Sequence, residues 1–153
     1  MKYLPLIALL LLTIATPASG DEFDAEKFAQ QYFSAWAATQ APKGTAKDIE
    51  HYLSLVKDDI GHQHYPYDPE DTRAPDGKER MRTGMTYYLN AHSEYKGTLL
   101  SVEVGFNVII IKYNTTMKAV HPQTKELISR SKDTVEVLEI EDGKVAMIRK
   151  YSE

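Results

Sequence analysis

Residues 127–151 read LISRSKDTVEVLEIEDGKVAMIRKY. Two β-rich runs, Leu127 to Ile140 and Val145 to Tyr151, flank Glu141-Asp142-Gly143, and an Asp-Gly pair between such runs signals a hairpin turn. Towards the N-terminus, Leu99 to Phe106 and Val108 to Val120 have the same character. Asn107 separates them, and His121-Pro122-Gln123-Thr124 separates the second from Leu127. From Thr98 onward the spacing predicts a meander of long antiparallel strands.

Before Thr98 the apolar period lengthens from two to about 3.6 residues. Phe28, Tyr32, Ala35 and Trp36 form one stripe of a helix from about Asp24 to Thr39. Ala41-Pro42-Lys43-Gly44 breaks it. Thr45 with Asp48 has the form of a capping pair for a second helix, whose stripe is Ile49, Tyr52, Leu53 and Val56 and which ends near Lys57. Ile60 to Tyr65 alternates, so His62 and His64 share one face of a short strand. The stretch from Tyr65 to Pro75 is rich in proline and acid and reads as a loop, with its role as a lid left open. Asp76 and Glu79 cap a third helix, carrying Met81, Met85, Tyr88 and His92 at helical spacing. Helices first and a strand meander afterwards predict an α+β domain, three N-terminal helices packed on a curved antiparallel sheet.

The chain has 153 residues, no cysteine and a net charge of −4. Lys2, the apolar run Leu4 to Ile14 and the small residues of Thr16-Pro17-Ala18-Ser19-Gly20 have the form of a signal peptide over residues 1–20. Residues 21–153 would then form a single domain, periplasmic or secreted. Removing a segment with one lysine and no acid leaves a net charge of −5, which disfavours nucleic acid as a partner. The early apolar run falls short of the roughly 20 residues a spanning helix needs, so the mature form should not insert in a membrane. Without cysteine there is neither a disulfide nor a catalytic thiol. Glycine-rich phosphate loops and Gly-x-Ser-x-Gly elbows are absent too, and no cofactor is expected.

Several segments, in order, carry a family resemblance. They are Asp48-Ile49-Glu50, Val56-Lys57-Asp58-Asp59, the short strand with its proline-bearing loop, Gly77-Lys78-Glu79 opening a helix, and Leu138-Glu139-Ile140-Glu141-Asp142-Gly143-Lys144-Val145. Together they resemble the NTF2-like superfamily, in particular its SnoaL-like and ketosteroid-isomerase-like members. The resemblance implies a cone-shaped barrel around an apolar pocket, on a scaffold that also serves as an inert binding or dimerisation module. Isomerases of that family use a tyrosine on the first helix, a base at the end of the first strand and a protonated acid on a late strand. Those positions fall on Tyr32, on His64 where the family keeps an aspartate, and on Glu136.

The resemblance thus implies catalytic roles for His64, Tyr32 and Glu136, with His62, Trp36, Met85, Tyr88 and Phe106 around the ligand. Strand parity puts Thr134, Glu136, Leu138 and Ile140 on one face and Val135, Val137 and Glu139 on the other. Neither face is purely apolar, so the direction of Glu136 stays open. His62 and His64 could share a metal with His92, Glu94 or Glu136, but no third ligand stands at a diagnostic spacing and no metal is expected. Three readings follow. One is an exported protein binding a small apolar ligand, with proton transfer on a ligand carbonyl as its chemistry; another is a non-catalytic homodimeric module joined through the outer sheet face. The third is a histidine-dependent metalloenzyme.

Overall fold

The computed structural model describes residues 23–121 and 123–152. The expected leader, Met1 to Gly20, lies outside them. Helices α1 (Ala25–Gln40) and α2 (Ala46–Leu53) come first, followed by strand β1 (Val56–Tyr65) and helix α3 (Gly77–Tyr88). Strands β2 (His92–Gly105), β3 (Val108–Val120), β4 (Leu127–Glu141) and β5 (Lys144–Ser152) complete the chain.

Local chemistry sets these boundaries. The Asp24 side chain accepts from the Lys27 backbone N–H and caps α1. Thr45 and Asp48 form the expected capping box of α2. Asp142 and Gly143 both have positive φ, the conformation of the tight hairpin turn between β4 and β5.

The five strands form one curved sheet in the order β1-β5-β4-β3-β2. β2 to β5 are antiparallel as expected, but β1 runs parallel to β5, pairing His62 with Ile148 and His64 with Lys150. Two expectations are therefore corrected. The sheet is mixed, and only two helices precede its first strand, because β1 intervenes before α3. A purely antiparallel meander would leave β1 unpaired, and the free edge of β5 accepts it.

α2 stops at Leu53 rather than near Lys57, since Val56 already belongs to β1 and is fully buried. The third helix stops at Tyr88 rather than His92. Asn90 takes positive φ, and His92 pairs with Ala119 as the first residue of β2. Tyr88 is consequently half exposed at 51% and Phe106, in the β2–β3 turn, is 95% exposed. Neither walls an interior pocket.

The core lies between the helices and the inward sheet face. Phe28, Tyr32 and Phe33 of α1 and Ile49, Tyr52 and Leu53 of α2 pack with Ile109, Ile111, Tyr113, Leu138 and Ile148. At roughly 1.5–3 kcal/mol for each fully buried large apolar side chain, this layer holds the helices to the sheet. α3 docks on β1 so closely that a Cβ at Gly77 would overlap the Ile60 carbonyl. Glycine is what permits that approach.

Candidate functional site

Glu136 lies on the inward face of β4, between Ile111 of β3 and Lys150 of β5 in cross-strand register. It is 3% exposed, which settles the open direction of this side chain. A lone buried carboxylate is costly, so it must be surrounded by donors. Tyr113 donates to Oε1 at 2.6 Å, Tyr32 donates to Oε2 at 3.1 Å, and the Lys150 ammonium lies 3.1 Å from Oε1. Because Tyr32 spends its proton on Glu136, the Tyr52 hydroxyl 2.9 Å away donates to the Tyr32 oxygen.

Burial by itself would raise the pKa of Glu136. The positive charge of Lys150 and the hydrogen bond from Tyr113 outweigh it and hold the carboxyl below its ordinary range. Burial, followed by the negative charge of Glu136, pushes the Tyr32, Tyr52 and Tyr113 hydroxyls upward and keeps them protonated. The resemblance implied a neutral acid at Glu136 acting as donor. Here Glu136 is an ionised acceptor, because a lysine sits beside it.

His64 ends β1 on the same face, with its ring Nε2 2.9 Å from Ser152 Oγ and its ring beside Tyr67. Burial, followed by the charges of Lys150 and Lys132, lowers its pKa to about 4. The parallel register places His64, Lys150 and Glu136 in one row across adjacent strands. With strands about 4.8 Å apart, His64 stands roughly 10 Å along the sheet from the carboxylate that engages Tyr32. Lys150 fills the place between them.

The interior space is divided. One part, of about 360 Å³, lies between β1 and α3 and is lined by Ile60, His62, Met81 and Met85 among others. The His62 pKa is lowered, by burial and then by Lys150. The other part, of about 150 Å³, lies between the end of α1 and the sheet. Its lining includes Trp36, Tyr95, Tyr113, Lys132, Thr134 and Lys150. Trp36 packs against the core with its ring centre 5.0 Å from that of Tyr113, and the Lys150 ammonium lies 4.7 Å from the Trp36 ring centre. The buried hydroxyls of Tyr95 and Thr134 have no hydrogen-bond partner among the described residues.

Among the described residues, no three histidine, aspartate or glutamate side chains gather to hold a metal. His62 and His64 are on β1 at one sheet edge, while His92 and Glu94 are on β2 at the other. Glu136 is occupied by Lys150 and two tyrosines.

Sequence reasoning missed Lys150, Tyr113, Tyr95 and Lys132. Tyr113 was readable, since Ile109, Ile111, Tyr113 and Thr115 alternate inward along β3. Lys150 was not. A regular hairpin around Asp142-Gly143 sets Glu136 opposite Arg149, but an irregularity between Glu139 and Ile140 shifts the register by one and puts Lys150 there.

No family model matches the sequence, and no curated protein matches it. Solved structures do resemble the fold. A candidate SnoaL-like polyketide cyclase from Shewanella denitrificans OS-217 superposes with a TM-score of 0.65 at 11% identity, over 84% of this chain and 90% of that one. An LEH-like epoxide hydrolase from M. tuberculosis gives 0.62 at 12%, over 84% and 82%. A candidate ketosteroid isomerase from Kribbella flavida DSM 17836 gives 0.59 at 14%, over 84% and 77%. Their shared architecture defines the class of this domain: it has the NTF2-like fold.

Proposed function

We propose that this chain is an exported ligand-binding domain that holds one small organic molecule against the inward face of its sheet. The observation that carries the reading is the 150 Å³ cavity, where three aromatic rings and two lysines meet beside two unpartnered hydroxyls. Concave sites of this kind, apolar walls with a few convergent polar groups, are where small ligands bind. The cyclase-like and isomerase-like proteins of the same fold support a small-molecule role. Export rests on the leader-like residues 1–20.

Binding is better supported than proton transfer. Tyr32, the hydroxyl that would polarise a ligand carbonyl, already donates to Glu136, and Lys150 stands between that carboxylate and His64. A second copy docking on the outward sheet face, where Tyr65, Tyr67 and Tyr151 line an open groove, belongs to the same proposal. Sedimentation analysis tests it, and a monomer at high concentration would remove it.

The test of ligand binding is native mass spectrometry of gently purified protein, joined to thermal melting with single-ring carbonyl, alcohol and carboxylate compounds. A bound small molecule or a concentration-dependent rise in melting temperature is expected. An unliganded mass together with no melting shift from any compound class would overturn it.

A further inference from the structure

We propose that the cavity between α1 and the sheet is a subsite for a small aromatic carboxylate, a single ring carrying one anionic group. This rests on the reading of the domain as a ligand binder and adds the chemical class of what it binds.

Volume sets the first limit. A space of about 150 Å³ is the size of an engineered protein cavity that takes up benzene, and is smaller than the pockets that hold drug-sized ligands. A single ring fills a space of this size. The walls set the second limit. Trp36 meets Tyr95 edge-on, with centroids 6.1 Å apart at 79°, and tilts against Tyr113 at 5.0 Å. Aromatic faces and edges arranged in this way favour contact with another aromatic ring.

Charge sets the third. Lys132 and Lys150 both line the space, whereas Glu136, the buried carboxylate, is bonded to Lys150 and Tyr113 through one oxygen and to Tyr32 through the other. One positive charge is therefore in surplus. Among the described residues, Lys132 donates only to the Ser152 hydroxyl, at 3.3 Å. Burial, and then the charges of Lys150 and Arg130, weaken its hold on its proton, so an anion in the cavity would relieve a repulsion already present. The Tyr95 and Thr134 hydroxyls supply uncommitted hydrogen-bonding capacity in the same lining. A neutral ring would leave the surplus charge unanswered, and a bare inorganic anion would leave the aromatic walls unfilled.

Trp36 is the only tryptophan in the chain, so its fluorescence reports on this cavity alone. The experiment titrates benzoate, benzamide and 2-naphthoate into the purified protein, following Trp36 emission and confirming each result by calorimetry. Benzoate should saturate. Benzamide should bind about tenfold more weakly, the worth of one charge-assisted hydrogen bond. 2-Naphthoate, too large to be covered by the same space, should bind more weakly than benzoate. Lys132→Met should weaken benzoate about tenfold while leaving benzamide unchanged, and Lys132→Arg should restore benzoate. Benzamide binding as tightly as benzoate, or Lys132→Met leaving benzoate unchanged, would overturn the carboxylate and leave the ligand-binding reading standing. No saturable signal or heat from either single-ring compound would overturn the subsite. The mass and melting measurements then decide separately whether the domain binds anything else.

Discussion

The Lys150 ammonium lies 3.1 Å from Glu136 Oε1, and both side chains are almost fully withdrawn from water. Lys150→Met should therefore cost about 3–5 kcal/mol, because it strands a buried carboxylate rather than removing a surface ion pair. Adding Glu136→Gln to that variant should recover part of the loss, since it removes the stranded charge while the amide oxygen still accepts from one of the two tyrosines. Urea unfolding of wild type, both single variants and the double variant measures this. A double variant less stable than Lys150→Met would contradict the charge argument.

Stability should decline as the solution becomes acidic. The His64 pKa is depressed to about 4 from 6.5, so between those values the unfolded chain binds a proton that the folded one refuses. Unfolding free energy thus rises with pH across that window and levels off above it. Glu136 acts in the same direction at lower pH: its lowered pKa contributes stability above the ordinary carboxylate value, which is lost as pH falls through the folded value. Denaturant midpoints at about pH 7 and about pH 5 should differ, and His64→Gln should narrow the difference. Equal midpoints in the unmodified protein would refute the histidine's part.

Trp36→Ala should cost roughly 3 kcal/mol, the low end of the range for large aromatic deletions because the indole keeps some exposure. It would also free Lys150 from the ring it sits over. A loss below about 1 kcal/mol in a urea titration would mean that the ring contributes little to the packing of α1 on the sheet.

Exported protein should begin at Asp21. N-terminal sequencing of material recovered outside the cytoplasm checks this, and an intact Lys2 to Ile14 segment in that material would contradict the leader.

The succession of β2 to β5 and most of their limits were legible because these strands follow one another through short connections, marked by Asn107, by His121-Pro122-Gln123-Thr124 and by Asp142-Gly143. The partner of β1 was not, since pairing residues nearly ninety positions apart leaves no trace in local periodicity. The same division runs through the site. Tyr32 on its stripe was legible, and so was Trp36. The partner of Glu136 was not, because it depended on one bulged residue in β5 that sets Lys150 beside it. Phe106 misled because a large apolar side chain in a two-residue turn has no interior to reach.

The pairing of β1 with β5 bears on how the chain is made. The first strand waits for the last: His62 finds Ile148 and Tyr65 finds Tyr151 only when the nine residues of β5 are available. On a ribosome, everything up to Glu141 can emerge while β1, and α3 which docks on it, still lack their place in the sheet. Contacts this distant in sequence slow folding through the entropy of closing so long a loop. Closure of the sheet at β1 is therefore the step that most depends on distant contacts, and α3 gains its seat only when that step is complete.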